Sequence, residues 1–320
     1  MNRPKRGGRQ DATVEKSLTD KDTKPKLNHF DILSNVKDRI EYKTPFVDTH
    51  CHWPLTMEAY MRKTNDFQRM DAYEFIRDVF GGKVSGIINI HCEAPLSSTW
   101  KEMADSSFWS EIGMSYGFAC GLHPHHSKDW NDQLESSLLE AMKHPRCVAW
   151  GECGLDYHYD HSPRDVQREI FERQLKLAVS LGKPIVVHTR EAEEDTEDII
   201  KRCVPKDHKV HVHCFTDSPS FAARLLDHFP NLYIGVTGVV TYASNQNTSQ
   251  VIRELTGLKR ILLETDSPFM TPNNLKGKRP SVCHSAMIPW TAQFVSKILD
   301  VDTEEVLRVT RQNALDFYGI

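Results

Sequence analysis

Val47-Asp48-Thr49-His50-Cys51-His52 is the first of several short apolar runs that stop on a potential metal ligand; Gly151-Glu152, Val187-His188, Val212-His213 and Glu264-Thr265-Asp266 follow. Side chains alternate faces along a strand, so His50 and His52 share a face, as do His188 and Arg190, and Glu264 and Asp266. Each group stands where an apolar run ends, and that is the end at which a parallel barrel gathers its active-site residues. A single His-x-His pair is equally compatible with a satisfied core pair. Five strand ends carrying ligand residues point to a metallohydrolase.

From Pro45 onward strand-like runs alternate with helical patterns. Strands are expected at 46–50, 84–91, 115–121, 147–152, 184–188, 209–214, 232–236 and 260–265, and helices at 71–80, 132–143, 164–181, 193–203, 220–229 and 249–256, with two more after the last strand. In the clearest helix Ile170, Leu175, Leu177, Ala178 and Leu181 precede Gly182-Lys183-Pro184, a stop signal that leads into the next strand. Strands alternating with helices imply a parallel sheet, and eight such units imply closure. The expected fold is therefore α/β, a (β/α)8 TIM barrel over residues 45–320. Such a barrel takes about 250 residues, so a chain of 320 leaves room for a modest extension. Residues 1–44 are read as that extension: a disordered polar tail to about residue 28, then a short helix in which Ile32, Leu33, Val36 and Ile40 recur at helical spacing.

Charge is unevenly divided. Residues 1–44 carry 11 Lys/Arg and 7 Asp/Glu, a net of +4, so with −4 for the whole chain the remainder stands at −8. An acidic body excludes a nucleic-acid binder that relies on a basic surface, because phosphate neutralisation dominates such affinity. If the substrate is a phosphate ester, bound divalent cations must supply much of the local positive field. The eight cysteines contain no Cys-x-x-Cys pair and read as reduced, apolar core residues. No apolar run approaches the ~18 residues that span a bilayer, and the N-terminus has no hydrophobic segment of a secretory leader. The expectation is a soluble intracellular protein, nuclear or cytoplasmic, not secreted, and a monomer.

Four histidines and two carboxylates, His50, His52, His188, His213, Glu152 and Asp266, are too many for one tetrahedral site and suit two divalent metal ions sharing a bridge. Glu152, on the fourth strand, faces both histidine groups across the mouth and is read as the bridge. Asp266, beside the first strand, can ligate the ion held by His50 and His52 or take a proton from water. Arg190 and His123 are candidate phosphate contacts, and Phe215, with Trp53 and Phe269, a candidate stacking surface for a splayed base. Asp48 and Asp156 are read as supports that orient ligand imidazoles, and His211 as a histidine one layer deeper.

The stretches Asp48-Thr49-His50-Cys51-His52, Gly151-Glu152-Cys153-Gly154-Leu155-Asp156-Tyr157, Pro184-Ile185-Val186-Val187-His188-Thr189-Arg190, His213-Cys214-Phe215 and Glu264-Thr265-Asp266-Ser267-Pro268-Phe269 closely resemble the signatures of the TatD family of metal-dependent deoxyribonucleases, within the amidohydrolase superfamily. Gly121-Leu122-His123-Pro124-His125 resembles a further family stretch, and the layout is most similar to the TatD domain-containing protein 2 subgroup. The resemblance implies a first metal held by His50, His52, Glu152 and Asp266 and a second by Glu152, His188 and His213. It implies Mg²⁺ or Mn²⁺ in use, with Zn²⁺ as isolated, a two-metal-activated water that attacks phosphorus, and Asp266 as general base. The implied substrate is nucleic acid, cleaved by a 3′–5′ exonuclease of DNA, with RNA as a further substrate. Three departures stand out: Trp53-Pro54 after the first motif, Asp217 after Phe215, and Gly277-Lys278-Arg279 leading into Pro280-Ser281-Val282-Cys283-His284. Two other classes stay open on the residues alone: a hydrolase of a small amide, lactone or phosphoester, and a non-catalytic nucleic-acid-binding or scaffold protein.

Overall fold

Eight parallel strands pair in chain order, each with the next: β1 (Phe46–Cys51), β2 (Val84–His91), β3 (Ser115–Cys120), β4 (Cys147–Asp156), β5 (Ile185–Arg190), β6 (Val210–Val212), β7 (Leu232–Val236) and β8 (Ile261–Leu263). The computed structural model describes residues 40–64, 72–80, 82–275 and 280–320. The expected tail and nearly all of the expected helix at 30–42 lie outside the described residues. The ring closes just past β8: Asp266 N donates to His50 O at 2.8 Å, His52 N donates to Ser267 O at 2.9 Å, and Cys51 and Ser267 form a parallel bridge. This is the expected (β/α)8 barrel.

Helices cover the outside: α1 (Trp53–Thr64), α2 (Ala72–Phe80), α3 (Thr99–Asp105), α4 (Phe108–Glu111), α5 (Asp132–Ala141), α6 (Arg164–Ser180), α7 (Glu193–Cys203), α8 (Pro219–His228), α9 (Asn247–Val251), α10 (Ile288–Leu299) and α11 (Thr303–Tyr318). Of these α1, α3 and α4 were not expected. Helix α1 starts directly after His52, with Pro54 in its first turn, where a missing N–H costs nothing; no turn residue marks the change from strand to helix. Local chemistry sets the other boundaries. Asn131 caps α5 through Leu134 N and Ser218 caps α8 through Phe221 N. Gly182, with φ 62°, ends α6 in the left-handed conformation that the Gly-Lys-Pro signal requires. Among the described residues no helix is long and apolar enough to cross a membrane.

Alternation sorts the core into two layers. Outward residues such as Ile87, Phe118, Trp150 and Leu155 pack against the helices with Phe171, Leu175 and Phe221. Inward residues Val47, Ile88, Ile90, Ala119, Ala149, Val186 and Leu262 fill the barrel, and Ala314, Phe317 and Tyr318 at the end of α11 join that interior layer. Full burial of a large apolar side chain contributes roughly 1.5–3 kcal/mol. The polar groups sit in the layer above this apolar floor.

β6 and β8 stop earlier than the 209–214 and 260–265 expected. The chain leaves the sheet at both points through non-glycine residues with positive φ, Cys214 at 43° and Asp266 at 52°. His213 and Asp266 therefore stand just past the strand ends, on the rim.

Candidate metal centre

Glu152 stands at the centre of the mouth formed by the ends of β1, β4 and β5 and the segments after β6 and β8. Its Oε2 lies 3.1 Å from His50 Nε2 and 3.6 Å from His52 Nε2. Its Oε1 lies 3.1 Å from both His188 Nδ1 and His213 Nε2, and 3.3 Å from His123 Nε2. Asp266 Oδ1 lies 3.3 Å from His52 Nε2 and 3.7 Å from His50 Nε2. The rings of His50 and His213 stack, centroids 4.0 Å apart and 5° from parallel.

Backbone features bring these groups within reach of one another. Gly154 has φ +152°, and a Cβ there would stand 1.8 Å from the carbonyl oxygen of His188. Only glycine lets β4 run this close to β5. The left-handed Cys214 is held by its N–H, which donates to Glu264 Oε1. Such conformations persist where surrounding bonds over-determine them. Asp48 holds the segment that carries Asp266: it accepts from Thr265 N at 3.0 Å and from Thr265 Oγ1 at 2.6 Å. This corrects the expectation for Asp48, whose carboxylate lies at the β8–β1 seam. It reaches the backbone N–H of His50 at 3.3 Å rather than an imidazole.

The charges on the site are set by competition between burial and close partners. Burial alone would raise Glu152, but His213, His188 and His50 hold it well below the usual carboxylate range. Asp266 is lowered against its burial chiefly by the hydrogen bond to His52. Burial opposes charge on His188, yet Asp156 and Glu152 lift it to about 9. Burial, then the neighbouring His213, pushes His50 down to about 4, and burial with His188 pushes His123 well below the ordinary histidine value.

The surrounding residues divide into those that support these imidazoles and those that line the mouth. Asp156 Oδ2 lies 3.4 Å from His188 Nε2 and 2.9 Å from His125 Nε2, so it contacts the ring edge that faces away from Glu152. His125 was missed; its place two residues after His123 was the available signal. His123, expected as a phosphate contact, points at Glu152 and joins the cluster. His211 is fully buried one layer down, with Nε2 3.0 Å from Glu264 Oε2 and Nδ1 2.7 Å from the Tyr318 hydroxyl. Glu264 thus turns to the floor while Asp266 turns to the rim.

Phe215 requires correction. It is 2 % exposed and stacks on Phe221, because the left-handed Cys214 turns it into the core. Trp53 is buried as well, whereas Phe269 is 53 % exposed, so of these three aromatics Phe269 is the one open to solvent. The Arg190 guanidinium lies 5.0 Å from the Tyr159 ring centre and forms no ion pair among the described residues. Asp217, a departure from the family pattern, is pushed up to about 7 by burial and then by Glu193, which reduces its repulsion of a nearby anion.

Among the described residues three groups could hold a metal ion: His50, His52 and Glu152; His50, His213 and Asp266; and His123, Glu152 and His188. Within each, the ligand atoms lie within 4.8 Å of one another. The donor chemistry fits. His50 Nε2 and Glu152 Oε2 face each other at 3.1 Å, both buried and without a hydrogen-bond partner among the described residues, an arrangement that is costly for polar groups lacking a cation. Imidazole and carboxylate together accept divalent first-row metals and Mg²⁺.

Residues 47–319 match the profile of the family described as TatD related DNase. The chain is 34% identical over 282 residues to the human 3'-5' RNA nuclease TATDN2, covering 86% of this chain but only 35% of that protein, so it spans about a third of that relative's length. It is 31% identical over 273 residues to the uncharacterized metal-dependent hydrolase YabD of Bacillus subtilis, covering 85% of this chain and 98% of YabD. Among solved structures, the TatD homologue YJJV of Escherichia coli K12 superposes with a TM-score of 0.68 at 25% identity, covering 86% of this chain and 98% of that one. A barrel whose strand ends converge on Glu152, matched to this family across its whole extent, identifies the chain: it belongs to the TatD related DNase family.

Proposed function

We propose that the protein is a two-metal 3′–5′ nuclease that hydrolyses phosphodiester bonds of single-stranded DNA and RNA. The observation that carries this reading is the division of Glu152, with Oε2 turned to His50 and His52 and Oε1 to His188 and His213. One carboxylate between two imidazole sets is the arrangement that two divalent cations share. In this reading His50, His52, Glu152 and Asp266 hold the first ion, and Glu152, His188 and His213 the second, with His123 beside it; Mg²⁺ or Mn²⁺ serves in use. The TATDN2 name supports RNA and the 3′–5′ direction, the family description supports DNA, and the YabD name supports metal dependence.

Two bound cations supply Lewis-acid stabilisation of the attacking and leaving oxygens of an in-line displacement at phosphorus. The protein's own groups do the rest. Asp266, ionised and at the rim, takes the proton of the attacking water. Asp156 fixes the His188 ring from behind. Arg190, without an ion-pair partner among the described residues, meets a phosphate oxygen. Phe269 offers its exposed face to a base, a contact worth ~1–3 kcal/mol.

The test is cleavage of 5′-labelled DNA and RNA oligonucleotides by chelator-stripped protein resupplied with Mg²⁺, Mn²⁺ or Zn²⁺, beside Asp266→Asn. Metal-restored shortening from the 3′ end that is lost in the variant supports the reading. Absence of cleavage of either polymer with every metal sinks it. Phe269→Ala separates polymer binding from chemistry. The expected result is a rise of about 10-fold in KM for oligonucleotides with kcat on bis(p-nitrophenyl) phosphate unchanged. An equal fall on both substrates would place Phe269 in the scaffold instead.

A further inference from the structure

A cavity of about 160 Å³ opens beside His52, walled by the start of α1 and by the end of β2 with the segment that follows it. A cavity of about 150 Å³ accepts a benzene ring, and a furanose ring is of similar size. His52, Glu58, His91, Glu93, Ser97 and Thr99 contribute its polar lining, and Glu58 is paired with Arg62 at 2.9 Å.

The hydrogen-bond roles of two of these residues are fixed by their neighbours. Asn89 Oδ1 accepts from Trp53 N at 2.8 Å, so the other end of that amide, Nδ2, is a donor, and it lies 2.9 Å from His91 Nε2. His91 Nε2 is therefore an acceptor and the ring carries its hydrogen on Nδ1. His91 is 7 % exposed, and among the described residues its Nδ1 has no hydrogen-bond partner. Glu93, exposed at the opening, forms no ion pair or side-chain hydrogen bond among the described residues. The cavity is thus lined by one donor on a largely buried ring and, among the described residues, one uncommitted carboxylate beside a candidate ligand.

We infer that this cavity receives the sugar of the 3′-terminal nucleotide, with Glu93 accepting from its free 3′-hydroxyl and His91 Nδ1–H donating to a sugar oxygen. The inference rests on the nuclease reading above and deepens it, because it assigns the group that recognises the strand end. Because His91 Nε2 accepts from Asn89 Nδ2, the ring is neutral and brings no positive charge to the cavity. A chain ending in a 3′-phosphate would set its anion against the Glu93 carboxylate and be excluded.

The experiment compares initial rates of the full chain with Mn²⁺ on 5′-labelled oligonucleotides that end in a 3′-hydroxyl or a 3′-phosphate, for the wild type and for Glu93→Gln and His91→Phe. Like-charge juxtaposition predicts that the wild type favours the 3′-hydroxyl end by at least ~10-fold. Glu93→Gln narrows that preference by gaining activity on the phosphorylated end. His91→Phe slows only the hydroxyl-ended substrate. Equal wild-type rates on the two ends, or an unchanged preference in Glu93→Gln, overturns the inference while leaving the nuclease reading standing. No cleavage of either substrate by the wild type overturns the nuclease reading, and the inference with it.

Discussion

Glu152→Gln will lower kcat/KM on oligonucleotides by well over ~100-fold, the upper range for removing a partner that only supports a metal ligand, and will reduce bound metal at both positions together. Among the described residues Glu152 is the one acidic side chain with an oxygen facing each imidazole set, at 3.1 Å to His50 on one side and 3.1 Å to His188 and His213 on the other. Glutamine keeps the shape but replaces one acceptor oxygen by an N–H₂ that faces imidazole nitrogens or a cation. It also removes the negative charge that His213, His188 and His50 stabilise. Steady-state kinetics with metal analysis of the purified variant checks this. Activity within tenfold of the wild type, or loss of metal from only one position, would show that Glu152 is not a bridge.

The second large effect concerns stability. His284→Leu will make the protein more stable than the wild type in acid, and the difference will grow by about 3 kcal/mol between pH 7.5 and pH 4.5, at ~1.4 kcal/mol per pH unit below the unfolded-state pKa. His284 is fully buried against Phe75, Phe80 and Tyr60, and among the described residues neither ring nitrogen has a hydrogen-bond partner. Burial pushes it from 6.5 down to about 3. In that window the unfolded chain takes up a proton that the folded chain refuses, so folding stability falls as pH falls from about 6.5 towards 3. Leucine removes this linkage. Denaturant unfolding of both proteins across the range measures the gap. A gap independent of pH would show that His284 is hydrated or paired in the native state.

Much of this fold was legible because parallel strands buried on both faces announce themselves as apolar runs, and eight such runs separated by helices admit few arrangements. The approach of His50, His52, Glu152, His188, His213 and Asp266 was legible for a related reason: in a closed parallel barrel all strand ends share one mouth, so sequence position along each strand predicts height above the core. What failed depended on local backbone reversals and on long-range partners. Phe215 was expected to stack on a base because it follows the ligand His213, but the positive φ of Cys214 turns the ring into the core. Asp48 bonds Thr265, 217 positions away, a pairing that exists only because β8 returns to β1. Helix α1 escaped because no turn residue separates it from β1, and α3 and α4 because at 7 and 4 residues they are too short to display a helical period. The pairing of Asn89 with His91 was hidden inside a strand that otherwise reads as core.

The measurement that bears most directly on the shared-carboxylate site is a titration of metal-free protein with Mn²⁺, following bound metal and oligonucleotide cleavage in the same samples. Two equivalents per chain, with cleavage appearing as the second is bound, is the predicted result. Saturation at one equivalent with full activity, or cleavage that persists without any divalent metal, would contradict it.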